Sequence, residues 1–366
     1  MGDLTLYFFC ARILKIVIDN RKEMVMEKKK NLLTNPFVIA TLAIFCCALW
    51  GSANPAVKKG YESILPGNMK NFAGMMLFAG LRFAIAGLLT IIIYSIARRR
   101  LIHPKLNNVG RVLGVSAFQT VLQYMFFFYG ISKTTAVKST ILSGTSAFFA
   151  VIISCLIARF EKITVKKIIA CLIGFTGVII INLDGLNLEM TLTGEGFIIF
   201  SAVASSVASV LMKGFTKHEE PVILSGYQFF AGGVVMILIG IIGGAEIKLD
   251  TFLGWGILLY LASLSAVAYA IWGTLLKYNP VSKVAVYSFM IPVCGVIISR
   301  IAIPSEKINS VPLLLVALAL VPLGIFLINY SGSLIPKRIK NGLLPNKPES
   351  KRNVNDGCQK SAKINK

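Results

Sequence analysis

The chain has 366 residues, 55% of them hydrophobic and only 15% charged, with a mean hydropathy of +0.74. Water-soluble domains carry about 25% charged residues, so an ordinary soluble fold is excluded. The net charge of +22 does not point to nucleic acid, because the basic residues lie in the tails and short loops rather than in one patch interleaved with aromatics.

In chain order, residues 1–35 form a basic tail. Arg12 and Lys15 interrupt its apolar stretch and no small-residue cleavage site follows, so a signal peptide is not expected. The run Met26-Glu27-Lys28-Lys29-Lys30 has the character of a membrane-protein start. About 20 apolar residues cross a bilayer as a helix. Ten runs approach this length: 36–57, 72–96, 112–130, 139–158, 164–182, 196–212, 222–242, 252–276, 284–303 and 311–330. Helices are the form such runs must take, since lipid offers an open backbone no hydrogen-bond partners. Short loops, such as 131–138, force neighbouring helices antiparallel. Residues 331–366 form a second basic tail.

Lysine and arginine set the expected orientation. With the N-terminus inside, the inner short loops hold 13 basic residues and the outer ones 8, while the tails add 7 and 9 inside. The chain is therefore expected to be a multi-pass protein of the cell (cytoplasmic) membrane with both termini cytoplasmic. The loop over 182–195, which has no Lys or Arg, falls outside.

The sequence also repeats itself. Val151-Ile152-Ile153-Ser154 through Glu161-Lys162-Ile163 recurs 145 residues later as Val296-Ile297-Ile298-Ser299 through Glu306-Lys307-Ile308. Gly177-Val178 and Ile181-Asn182 are echoed by Gly324-Ile325 and Ile328-Asn329 at an offset of 147, and Phe83 and Gly87 by Phe229 and Gly233 at 146. The expected fold is an all-α integral membrane bundle of ten transmembrane helices in two repeats, 36–183 and 195–330. Five spans per repeat is an odd number, so the second repeat is inverted relative to the first. Such inverted repeats suit alternating access.

These features resemble the ten-helix family named for its EamA repeats, within the drug/metabolite transporter superfamily. The resemblance is carried by Trp50-Gly51 and Asn54-Pro55 in the first span and Leu81-Arg82-Phe83 in the second. Tyr129-Gly130 with Thr134-Thr135-Ala136, then Gly177, Glu161 and Glu306, complete it. It implies a central cavity lined mainly by spans 1, 3, 4, 6, 8 and 9, and a substrate drawn from amino acids and other small metabolites, often moved outward. Span 6 departs from the family in lacking a tryptophan and reading Ala202-Val203-Ala204-Ser205-Ser206.

Polar groups inside spans are costly and need a reason. The candidate substrate-binding residues are Trp50, Asn54, Gln123, Tyr124, Ser143, Ser205, Ser206, Tyr269, Trp272, Tyr287 and Ser288, with Thr145 and Ser209 as further cavity candidates. Tyr124 and Tyr269 correspond at an offset of 145, as do Ser143 and Ser288. The alternative for the hydroxyls is helix–helix glue. Lys138 and Lys283, also 145 apart, open spans 4 and 9 as candidate gate or anion-attracting residues, or as interfacial anchors. Arg82, Glu161 and Glu306 are read as structural. Arg82 is the one charge deep in a span and would snorkel or meet backbone carbonyls, a substrate contact being the other reading. The two glutamates would favour the positive start of the next helix. The GxxxG spacing of Gly110 and Gly114 reads as close helix packing.

Of the seven cysteines, none has metal-finger spacing, and five lie in apolar runs as small fillers. The two histidines, His103 and His218, fall in loops. No metal and no cofactor are expected, and no Gly-rich phosphate loop opens a helix. The expected function is secondary transport, as an exporter, of a small polar metabolite such as an amino acid. The expected partners are the lipid bilayer and a small-molecule substrate, without nucleic acid. Proton or counter-substrate coupling stays open, since no mid-span carboxylate offers a carrier. Two alternatives remain: an exchanger of phosphorylated or nucleotide-linked metabolites, favoured by the lysine pair, and a membrane-embedded enzyme without a recognisable motif.

Overall fold

Each of the ten apolar runs is helical over almost all of its described residues, and side chains fix the starts of several. The structure, a computed structural model, describes residues 27, 30–65, 71–134, 136–181, 190–246, 251–302 and 311–329. Among them there are helices and loops and no strand. Helix α1 is Pro36–Ile64, α2 Phe72–Arg98, α3 Leu106–Ile131 and α4 Lys138–Ile157. Helix α5 is Val165–Ile181, α6 Leu192–Phe215, α7 Pro221–Ile242 and α8 Phe252–Tyr278. Helix α9 starts at Val281, tightens to a 3₁₀ turn over Val286–Phe289 and resumes as Met290–Ala302, and α10 is Val311–Asn329.

Eight of these are long and apolar enough to span a bilayer: α1 to α4 and α6 to α9. Helix α5 has 17 residues and the apolar stretch of α10 is Leu315–Ile328, both short of the same length. Asn187, in the expected outer loop, lies outside the described residues, as do Glu306, Cys10, Cys358, most of the N-terminal tail and the C-terminal tail.

Side-chain caps start the helices. Asn35 accepts a hydrogen bond from the Phe37 N–H with Pro36 at the first helical position, Asn71 from Gly74, and Thr251 from Gly254. Helix α1 runs seven residues beyond its expected end at 57. Its apolar pattern stops at Lys58-Lys59, but Gly60, Tyr61 and Ile64 continue one face against Phe78 of α2 and Ile257 of α8. At the other end of α2, Arg98 pairs with Glu220 at 2.9 Å, just before Pro221 opens α7.

Glycine sets the closest approach in the bundle. Gly80 and Gly87 on α2 are seven residues apart, as are Gly226, Gly233 and Gly240 on α7. A Cβ added at Gly87 would lie 2.4 Å from the backbone N of Phe230, and one at Gly233 2.3 Å from the backbone N of Ala84. Ala84 and Phe230, like Gly87 and Gly233, are 146 residues apart, so these two contacts are the same contact made twice. The rings of Phe83 and Phe229, again 146 apart, stack on each other at 5.1 Å and 5°. A second seam joins α5 and α10, where a Cβ at Gly324 would lie 2.6 Å from the Ala170 carbonyl oxygen.

The GxxxG expectation at Gly110 and Gly114 is corrected. A Cβ at Gly110 would meet nothing within 4 Å, and one at Gly114 only a Phe215 ring carbon at 3.9 Å. These glycines sit at the start of α3, where no neighbouring backbone comes close to them, and spacing alone does not choose a face.

Candidate substrate site

Tyr124 and Tyr269 meet. Their hydroxyl oxygens are 3.2 Å apart, across α3 and α8. Gln123 and Tyr124 follow the π-helical turn Ala117–Leu122, an under-wound segment that rotates the rest of α3 relative to its start. On α8, Ser265, Tyr269 and Trp272 fall at i, i+4 and i+7, on one face. Trp50 of α1 stands edge-on to both rings of that face, at 5.1 Å from Tyr269 and 5.0 Å from Trp272. Phe83 of α2 closes the other side, 4.5 Å from Tyr124, and Phe229 of α7 lies edge-on to Tyr269 at 4.7 Å. Five helices thus contribute to one aromatic box, and each ring pair adds about 0.5–1.5 kcal/mol beyond its buried area.

The box carries polar atoms with nothing to bind. Trp50 Nε1, the Tyr61 hydroxyl and Gln123 Oε1 are buried and have no hydrogen-bond partner among the described residues. A buried unsatisfied group costs about 1–3 kcal/mol. A donor and a hydroxyl left open beside these rings, Trp50 Nε1 and the Tyr61 hydroxyl, are what a small amphipathic ligand needs.

Arg82 is 5% exposed, and its Nε donates to Ser265 Oγ at 3.0 Å. It is buried rather than snorkelling, and it meets no backbone carbonyl among the described residues. Instead it reaches across to α8, with its guanidinium 5.1 Å from the Phe83 ring centre. Its counterpart Gln228 is fully buried, accepts from Thr120 Oγ1 at 2.7 Å and leaves its Nε2 unpartnered.

Most of the other predicted residues make other contacts. The Asn54 side chain lies outside the described residues. Ser206 donates to the carbonyls of Ser146 at 2.8 Å and Ala202 at 2.7 Å, fastening α6 to α4. Ser288 bonds back to the Ala285 carbonyl, Thr145 to Leu142 and Ser209 to Ser205. Tyr287 is buried in the main core, its carbonyl accepting from Cys47 Sγ at 3.2 Å. Ser143 and Ser205 are partly buried on α4 and α6. The structure therefore gathers Trp50, Tyr124, Tyr269 and Trp272, with Tyr287 in the same buried cluster as Trp272, while the hydroxyls of Ser206, Ser209 and Ser288 bond backbone carbonyls.

The loop charges are engaged. Lys138 Nζ is 3.0 Å from Glu195 Oε1, and Glu195 also accepts from the hydroxyls of Thr134 and Thr191 and from the Thr191 N–H. Glu161 pairs with Lys167 at 2.8 Å, in the first turn of α5, and accepts from the Ser282 N–H at 3.1 Å and the Ser282 hydroxyl, at the start of α9. It therefore serves two helix starts. Burial opposes ionisation of Glu161, but the Lys167 ammonium and the Ser282 donors outweigh it and hold its carboxyl below the usual glutamate range.

Sequence reasoning missed Tyr61, Ser265 and Glu195. Tyr61 lies beyond Lys58-Lys59, where the apolar run stops, and Glu195 lies just before the expected start of span 6. The signal for Ser265 was its i, i+4 relation to Tyr269.

Comparison with known proteins agrees with this architecture. A model of the EamA-like transporter family matches residues 38–183 and 192–330. Among curated relatives, an uncharacterized transporter from the sor 3′ region of Acidianus ambivalens is 29% identical, over 59% of this chain and 80% of its own length. The uncharacterized transporter YvbV of Bacillus subtilis (strain 168) is 25% identical over 79% of this chain and 91% of its own. A chloroplastic WAT1-related protein of Arabidopsis thaliana is 22% identical over 80% and 70%. A solved crystal structure superposes with a TM-score of 0.64 at 16% identity, covering 79% of this chain and 97% of that one, a likeness of fold alone.

Proposed function

Since the chain belongs to the EamA-like transporter family of the drug/metabolite transporter superfamily, we propose that it is a secondary transporter of a small polar metabolite, exported across the cell membrane by alternating access. In this reading ten helices form two inverted five-helix repeats, with both termini in the cytoplasm and the box of Trp50, Tyr124, Tyr269 and Trp272 between the halves. The observation that carries it is the meeting of Tyr124 and Tyr269, equivalent residues of the two repeats, at 3.2 Å beside unpartnered buried polar atoms. Equivalent residues touch when they lie near the axis that relates two halves, and that axis is where transporters of this kind hold substrate. The twofold recurrence of the Gly87–Phe230 contact as Ala84–Gly233 supports the same axis. Exchange of phosphorylated metabolites drew its support from Lys138 and Lys283, and Lys138 already holds Glu195.

The test is flux. Purified full-length protein in lipid vesicles is expected to move at least one isotope-labelled amino acid down its gradient, saturably and at a rate that scales with protein. Absence of protein-dependent flux for every amino acid offered, or chemical conversion without flux, rejects the reading.

Tyr124→Phe and Tyr269→Phe are each expected to weaken binding of the transported compound by about 0.5–1.5 kcal/mol, the worth of one neutral hydrogen bond. Because the two hydroxyls bond each other, the double variant is expected to lose less than the sum of the singles. Calorimetry on the three variants measures this, and silent single variants remove the pair from the site.

A further inference from the structure

Resting on the reading that the box holds a substrate, we propose that Arg82 is its anion anchor. The compound carried would bear a carboxylate at one end and a flat, largely apolar group at the other.

The argument is one of unmatched charge. Arg82 is 95% buried, by its 5% exposure, and its one hydrogen bond among the described residues is from Nε to Ser265. It makes no ion pair among the described residues, and no Asp or Glu stands in the middle of any span. A buried guanidinium without a counter-charge is expensive in a protein interior and more so at membrane depth. Ser265 fixes only Nε. The two Nη groups, the fork that grips a carboxylate through two parallel bonds, are left without a hydrogen bond among the described residues.

That fork borders the box. Ser265 stands one helical turn from Tyr269 and two from Trp272 on the same face of α8. Phe83, which lies against the guanidinium, also contacts Tyr124. A carboxylate held at Arg82 would place the rest of the molecule among Trp50, Tyr124 and Tyr269.

The test uses two ring systems in matched charge states: phenylacetate and indole-3-acetate, their neutral amides, and the amines phenethylamine and tryptamine. Binding to purified full-length protein is read by isothermal calorimetry. At least one acid is expected to bind about tenfold or more tightly than its amide, the minimum worth of a charge-assisted pair, with its amine weaker still. Arg82→Gln, which places the residue of the equivalent position 228, is expected to erase the acid–amide difference while leaving amide binding within about twofold, a selective loss that a general folding defect would not give. Arg82→Lys is expected to keep the preference at reduced size. Equal binding of acid and amide in the unsubstituted protein, no binding by either acid, or a preference that survives in folded Arg82→Gln overturns the proposal. The comparison within the unsubstituted protein decides if the variants fail to fold. Acid-selective binding without vesicle flux would reject transport and leave the anchor standing. Flux of a compound with no acid preference would do the reverse.

Discussion

Gly233→Leu and Gly87→Leu are expected to abolish recovery of folded protein, while Gly110→Leu leaves recovery unchanged. Overpacking a well-filled core costs about 1–3 kcal/mol when side chains can shift aside. Here they cannot, because the first added carbon at position 233 meets the backbone N of Ala84 at 2.3 Å, and at position 87 that of Phe230 at 2.4 Å. Backbone cannot change rotamer, so α2 and α7 must part along their length. Parting them breaks the Phe83–Phe229 stack and with it the wall of the aromatic box. Gly110 is the matched control, being a helical glycine with nothing within 4 Å of the added carbon. Detergent-solubilised yield and gel-filtration profile measure the effect. A monodisperse Gly233→Leu protein with unchanged thermal stability would show that the seam is not as tight as described.

Glu161→Ala is expected to cost roughly 3 kcal/mol, because one carboxylate serves as acceptor for Lys167 Nζ, the Ser282 N–H and the Ser282 hydroxyl. The loss is kept below that of a fully buried pair because Lys167 is partly exposed. Glu161→Gln keeps the shape and one acceptor, so it is expected to lose less. The pH dependence has a definite sign. The folded-state pKa lies below the ordinary glutamate value of about 4.3, so the carboxylate's contribution is complete above that value. It is lost as pH falls through the lower folded value. The stability gap between the unsubstituted protein and Glu161→Gln is therefore expected to be constant near neutrality and to shrink below about pH 4. Melting temperatures of the two proteins across this range check it, and a gap that widens on acidification contradicts the assignment.

The helices were legible because lipid imposes a length rule: most expected boundaries fall within a few residues of the observed ones. The 145-residue offset singled out Tyr124 and Tyr269 as a pair, but not that their hydroxyls lie 3.2 Å apart. What escaped is tertiary. Hydropathy ends α1 at Lys58-Lys59, so it hides Tyr61, a half-turn further on the face that packs on Phe78. The small-residue spacing at Gly110 and Gly114 looked like an interface, whereas the seam uses glycines seven apart on two helices more than a hundred residues distant in sequence. Glu195 meeting Lys138, and Glu161 meeting Ser282, join segments that no local pattern connects.

The glycine seam also bears on how the chain is made. Helix α2 is complete at Arg98, and α7 begins at Pro221. Ribosomes extend a chain at about 5–20 residues per second, so roughly 6–25 s separate the insertion of one face of the seam from that of the other. For that interval the bare glycine stripe of α2 faces lipid or the insertion machinery, with no partner of its own chain yet made. The first half of the molecule is thus an unfinished surface until the second half arrives. A pause or truncation between α2 and α7 would leave that stripe open to the same stripe on another nascent copy.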